Sequence, residues 1–275
     1  MEFDKIINMS LEEDMPNGDI TTVATVNADA IAEGEFKAKA DGVVCGIEIA
    51  RRSFELAGGG VEYTPLVKDG DVIKKGDVIA TVKGNARSIL MGERTALNLM
   101  QRASGIATAT RIAVESAKGY KARVTDTRKT MPGLRTLDKY AVRIGGAVNH
   151  RFGLSDGILI KDNHIAAAGS ITNAVTKAKA YAPHTLKIEV ETENMEQVAE
   201  ALNAGADIIM LDNMNCEQMK AAVTFIAGRA VTEASGNMGE RDLKEVASTG
   251  VDLISIGALT HSVKALDISL KFRLI

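Results

Sequence analysis

The pattern of apolar and polar positions changes character near residue 120. Before it, residues 35–49 (EFKAKADGVVCGIEI) alternate and then run apolar, which predicts strands around an Asp41-Gly42 turn. Residues 66–82 (LVKDGDVIKKGDVIATV) repeat a Gly-Asp-Val-Ile unit, predicting a hairpin with turns at Asp69-Gly70 and Lys75-Gly76. Between 85 and 119 the spacing becomes helical, with Leu90, Leu97 and Met100 on one face. Residues 101–105 (QRASG) interrupt this stripe, and Ser104 is placed to cap a second helix that runs to Ala117.

After residue 120, short apolar runs recur and nearly all end in a polar residue or glycine. They are ARVTD (122–126), GILIK (157–161), LKIEVE (186–191), DIIMLD (207–212), RAVTEASG (229–236) and DLISIG (252–257). The last four begin 21–23 residues apart, room for a strand, a helix and two loops. Asn194 precedes an i, i+3, i+4, i+7 stripe of Met195, Val198, Ala199 and Leu202, with Gln197 at the capping-box position and Gly205 closing the helix. Repeated βα units predict an α/β fold with a parallel sheet covered by helices. Polar strand ends place a site on the C-terminal rim of a βα barrel. Six strands are too few for a complete barrel, so an incomplete one is expected, behind an N-terminal α+β open-sandwich domain. The expected division is 1–110 for the α+β domain, 111–260 for the barrel, and 261–275 as a segment returning to the first domain.

Composition narrows the function. The 275 residues are 45% hydrophobic and 25% charged, with net charge −3, no Trp and 4% aromatics, which argues against nucleic-acid binding. Two distant cysteines, Cys45 and Cys216, make neither a disulfide framework nor a zinc motif. The N-terminal stretch is acidic and lacks a continuous apolar core, and no apolar run approaches membrane-spanning length, so a cytoplasmic location is expected.

Charge is unevenly placed. Residues 121–164 hold nine Lys and Arg against four Asp, a local charge of +5, pointing to an anionic ligand. Arg128 and Lys129 follow one predicted strand and Lys161 ends another, where cationic heads need an anion or water. Arg151 follows His150 in a glycine-rich loop. Glu191 and Asp212 end adjacent strands. Such acids can accept sugar hydroxyls, hold a divalent ion with phosphates, or stabilise a cationic carbon. Glu189 shares the face of Glu191, and pattern alone leaves the choice between them open. The turns EASGNM (233–238) and SIGALT (255–260) follow the last two strands, where backbone N–H groups commonly bind phosphate. Cations for carboxylates, acids for a sugar and amides for phosphate together describe phosphoribosyl transfer. A second reading is a non-catalytic binding module, suggested by the 66–82 repeat, which is similar to biotinyl and lipoyl carrier domains but lacks a plausible carrier lysine.

The strings EDMPNGDITT (13–22), ERTALNLMQRASGIAT (93–108), DTRKTMPGLR (126–135), GGAVNHRFGLSDGILIKDNHI (145–165), IEVE (188–191), IIMLDN (208–213), EASGN (233–237) and GVDLISIGALTHS (250–262) resemble the quinolinate phosphoribosyltransferases. ERTALN, LIKDNH and IMLDN favour this family over molybdenum-transport-associated proteins of the same fold. The resemblance implies a homodimer with shared active sites and quinolinate and phosphoribosyl pyrophosphate as substrates, with Mg²⁺ and no prosthetic group. It implies that Arg94 reaches quinolinate in the partner's site. Thr127, Arg128, Lys129, His150, Arg151 and Lys161 would surround quinolinate and pyrophosphate. Glu191 and Asp212 would hold the ribose, and Ser235, Gly236, Asn237, Ile256, Gly257 and Ala258 would bind the 5′-phosphate. Lys129, Lys161, Glu191 and Asp212 would carry the catalysis.

Overall fold

In the computed structural model, which describes residues 2–275, the chain divides into two compact units. The first comprises the chain up to Arg111, Met131–Gly146 and Ser262–Ile275. It contains helices α1 (Asp4–Asp14), α2 (Ile20–Thr25), α3 (Ile47–Leu56), most of α4 (Ala86–Ser116) and α5 (Arg135–Ile144). Its strands are β1 (Ile31–Ala38), β2 (Gly42–Val43), β3 (Val61–Pro65), β4 (Val72–Ile73), β5 (Val78–Asn85) and, from the C-terminal segment, β12 (Ile268–Leu274).

Four of these strands form an antiparallel sheet in the order β12-β1-β5-β3. Period-two alternation along β1 turns Ala32, Phe36 and Ala38 into the core. There Phe36 meets the Phe54 and Tyr63 rings edge-on, at centroid distances of 6.0 and 5.8 Å. Burying a ring such as Phe36, which is 0% exposed, stabilises by roughly 1.5–3 kcal/mol.

Three local expectations are corrected here. Residues 47–49 begin α3 instead of extending a strand. The repeat at 66–82 makes its two turns, where Asp71 and Asp77 accept from Lys68 N and Lys74 N, but no hairpin. β4 pairs with β2, and β5 pairs with β1 and β3, so the two halves enter different sheets. Residues 101–105 do not break the helix, because α4 is continuous over 31 residues. Ser104 Oγ accepts from Cys45 N at 2.9 Å and donates to Cys45 O at 3.1 Å instead of capping. Gly105 leaves a notch for neighbouring backbone: a β-carbon there would lie 2.3 Å from Lys264 O. The sequence pattern registers this packing notch as a break.

The first unit also takes in α5, a stretch that the sequence places within 111–260. Asp138, 0% exposed, accepts from Arg102 Nε and Nη2 at 2.8 Å each, and the Tyr140 hydroxyl donates to Asp69 at 2.7 Å. Three cations of the basic segment, Arg135, Lys139 and Arg143, therefore lie in this unit.

The second unit, Ile112–Thr130 and Ala147–His261, holds the six expected strands. They are β6 (Arg123–Thr125), β7 (Ile158–Ile160), β8 (Ile188–Thr192), β9 (Ile208–Asp212), β10 (Val231–Ser235) and β11 (Leu253–Ser255). All pair in parallel in the order β6-β11-β10-β9-β8-β7, an incomplete βα barrel with β6 and β7 at its edges. Helices α6 (Asp162–Ala168), α7 (Ile171–Tyr181), α8 (Met195–Ala204), α9 (Cys216–Ile226), α10 (Leu243–Ser248) and α11 (Ala258–His261) intervene. The caps work as the sequence suggests. Asn194 accepts from Gln197 N at 2.9 Å, and Asn215 with Gln218 completes a capping box on α9. Outward-facing Val190, Ile209, Leu211 and Ala234 are 0% exposed, so inward positions are free for polar residues. Among the described residues, no helix is long and apolar enough to cross a membrane.

Candidate active site

The C-terminal ends of the six strands surround a cavity of about 630 Å³ within the second unit. β6 delivers Thr127, Arg128 and Lys129 to it. Its last residue-bearing turn is fixed from below by Asp126, 0% exposed, which accepts from Asn149 Nδ2 at 2.6 Å and His150 N at 2.8 Å. That buried carboxylate presents His150 and Arg151 to the cavity. Lys129 is held at its backbone, where its carbonyl accepts from Thr260 Oγ1 at 2.8 Å and its N–H donates to Thr127 Oγ1 at 3.0 Å.

Lys161 leaves β7 as the cap of α6, and its ammonium donates to Glu191 Oε2 on the next strand. Glu191 lines the cavity, whereas Glu189, two residues earlier and 4% exposed, lies deeper against His150. Of the two acids that pattern left open, Glu191 is the one that lines the cavity. Asp212 ends β9 and accepts from Asn213 Nδ2 at 2.6 Å.

Ser235, Gly236 and Asn237 follow β10, and Gly257 and Ala258 follow β11; all five line the cavity. Gly236 has φ +95°, and a β-carbon there would sit 2.3 Å from Asn213 Oδ1. Only glycine satisfies both constraints. Ile256 is buried and its N–H donates to Thr125 O at 3.0 Å, so it frames the cavity without lining it. Arg94 lies in the first unit, exposed on α4, and is not among the lining residues. His261 and Asn213 do line it, and both sit inside strings that sequence singled out, ALTHS and IIMLDN, without being chosen.

The electrostatics suit a polyanion. Burial and the neighbouring Arg128 both lower the Arg151 pKa, against Glu189 and Asp156, which raise it. Two guanidiniums that repel each other this closely are relieved by a shared anion. Beneath them His150 Nε2 lies 3.1 Å from Glu189 Oε2 and 3.6 Å from Glu233 Oε1. These three ligand atoms fall within 4.8 Å of one another. The imidazole does not suit a cation, however. Arg151 N donates to His150 Nδ1 at 2.8 Å, so the ring proton of the neutral form sits on Nε2, the atom a metal would need.

Two family models cover the chain: the N-terminal domain of quinolinate phosphoribosyl transferase matches residues 19–104, and its C-terminal domain matches 106–271. The chain belongs to the quinolinate phosphoribosyltransferase family. A Bacillus subtilis relative described as a probable nicotinate-nucleotide pyrophosphorylase [carboxylating] is 47% identical over 98% of this chain and 93% of its own length. The chloroplastic nicotinate-nucleotide pyrophosphorylase [carboxylating] of Arabidopsis thaliana is 45% identical over 97% and 81%. The crystal structure of the Ehrlichia chaffeensis nicotinate-nucleotide pyrophosphorylase superposes with a TM-score of 0.95, at 40% identity and 99% coverage of both chains. The family's two-part architecture accounts for the parallel sheet and the separate antiparallel one.

Proposed function

We propose that this chain transfers phosphoribose from phosphoribosyl pyrophosphate to quinolinate with decarboxylation, giving nicotinate mononucleotide, pyrophosphate and carbon dioxide. The observation that carries this reading is the single cavity lined by Arg128, Arg151, Lys129 and Lys161, by Glu191 and Asp212, and by the Gly236 turn. Few small-molecule pairs need clustered cations, paired acids and a backbone cradle within one such volume.

The roles follow from charge. Quinolinate carries two carboxylates, which Arg128, Arg151 and Lys161 hold, the guanidiniums in forked geometry that aims the ring nitrogen. Lys129 faces the pyrophosphate side, and His150 borders the cavity while supporting Arg151. Ser235, Gly236, Asn237, Gly257 and Ala258 receive the 5′-phosphate through hydroxyl, amide and backbone donors. The ring nitrogen bonds to the ribose C1′ as the bond to pyrophosphate breaks, and positive charge develops on the sugar. Glu191 and Asp212 stabilise that charge and accept the ribose hydroxyls. The resulting pyridinium takes up the electron pair as the 2-carboxylate leaves, and the ring carbon acquires a proton.

Mg²⁺, when bound with the pyrophosphate group, would neutralise charge on the leaving group. Asp212, whose partner is the neutral Asn213, fits that ion better than Glu191, which already pairs with Lys161. The reading includes a homodimer in which Arg94, exposed on α4, completes the partner's site. It also includes a cytoplasmic location, supported by two unpaired thiols. A turnover assay with quinolinate, phosphoribosyl pyrophosphate and Mg²⁺ tests the reaction. Equimolar carbon dioxide and pyrophosphate are expected, and absence of turnover overturns it.

A further inference from the structure

At the floor of the cavity, which His150 and Glu233 help to line, lies a pair of buried acids to which the proposed reaction assigns no role. Glu189 on β8 and Glu233 on β10 both point into the barrel interior, 4% and 1% exposed. The Oε1 atom of each is buried with no hydrogen-bond partner within the protein. Two anionic carboxylates so placed would be costly. His150 cannot neutralise both as an imidazolium, because its Nδ1 lone pair accepts from Arg151 N. Its Nε2–H instead donates toward Glu189 Oε2 at 3.1 Å, with Glu233 Oε1 beyond it at 3.6 Å.

We propose that Glu233 is a positioning residue, a carboxylic acid kept neutral beside Glu189, and that this pair fixes His150 in its Nε2–H form and so holds the Arg151 turn at the cavity floor. A neutral Glu233 leaves one negative charge in the interior, and Glu189 shares that charge with the imidazole N–H. The same tautomer presents Nδ1 to Arg151 N, which links the buried pair to a guanidinium in the cavity.

The surroundings agree. Burial is the largest influence on Glu233 and the Glu189 charge the next, together pushing its pKa from 4.5 up to about 7. Positive charge on His150 would oppose this, as the Ser255 hydroxyl of β11 and Lys161 at the end of β7 do, without reversing it. At the opposite mouth of the barrel Arg123, Lys187 and Asp156 line a second cavity, of about 510 Å³, whose interior walls include Glu189 and Glu233. The inference stands apart from the proposed reaction, since it concerns protonation in the free protein.

Linkage gives the sign. An acid whose pKa is higher folded than unfolded favours folding most at low pH, and that contribution is lost as pH rises toward the folded value. Denaturant unfolding of the wild type and Glu233→Gln between pH 5 and 8.5 tests it. The wild type should lose about sixtyfold in folding equilibrium constant relative to the variant across pH 5 to 7.5. A difference that is flat with pH, or of opposite sign, overturns the proposal. Nitrogen-15 shifts of His150 in the wild type supply a second arm that needs no variant to fold. A protonated Nε2 with a bare Nδ1 is expected at pH 6–7, where Glu233 still holds its proton. An imidazolium, an Nδ1–H tautomer, or a stoichiometric metal ion retained by the wild type and lost in Glu233→Gln overturns it.

Discussion

Lys161 and Glu191 pair across the neighbouring strands β7 and β8, so this cavity cation is matched by an acid before any ligand arrives. The pair is 44% and 15% exposed, which leaves the lysine able to turn toward an incoming carboxylate. On the proposed reading, binding of a dicarboxylate frees Glu191 for the sugar. Both Glu191→Ala and Asp212→Ala should lower kcat by about 10²-fold or more, because their charge matters most when C1′ is cationic. Steady-state kinetics check this: quinolinate KM should move far less than kcat, and the reverse pattern removes both acids from this role.

Substrate choice tests the cations. Nicotinate lacks the 2-carboxylate, so it would bring one carboxylate fewer to a crowded site where Arg128 and Arg151 already repel each other. Sites built around a polar group reject analogues without it by about 10⁴ or more. Specificity constants for the two acids should differ by that order, and comparable values would place the cations elsewhere in the reaction.

What sequence made legible, and what it hid, divides along physical lines. The six strands of the second unit, their parallel pairing and the rim position of Arg128, Lys161, Glu191 and Asp212 were all readable. Local periodicity and strand-end polarity carry that information. The fate of residues 101–105 was not readable, since a Ser-Gly pair reads alike as a helix end or as a notch for another backbone. Nor was the pairing of β4 with β2, because identical Gly-Asp-Val-Ile units give no hint of which strand each joins. Glu189 and Glu191 were indistinguishable by parity alone. Depth separates them, and depth is set by three-dimensional stagger. The buried Glu233 drew no notice, as an acid before Ala-Ser-Gly looks like any other strand-end acid.

The Gly236 turn makes a sharper structural prediction. At φ +95° an alanine is strained by about 1–3 kcal/mol, and its methyl would meet Asn213 Oδ1 at 2.3 Å and Asn213 N at 2.8 Å. Relief requires moving either the turn or the Asn213 side chain that donates to Asp212. Gly236→Ala should therefore raise the phosphoribosyl pyrophosphate KM by about tenfold or more and lower Tm. Wild-type values of both, from kinetics and thermal unfolding, would mean that the turn yields freely and is no phosphate cradle.

Arg94 offers the test of the proposed dimer. It is exposed on α4, a helix of the first unit, while Lys161 belongs to the cavity of the second. If Arg94 serves its partner's cavity, Arg94→Ala and Lys161→Ala injure different chains' contributions to a site. Removing one member of a desolvated charge contact costs about 2–5 kcal/mol, enough to silence each homodimer. In a mixed dimer, one composite site collects both defects and the other has none. With random exchange about half the dimers are mixed, each with one intact site in two, so activity should return to about one quarter of wild type. Mixing the two inactive variants under subunit exchange, with exchange verified by differently tagged chains, measures this directly. No recovery would place Arg94 in its own chain's site or outside the reaction.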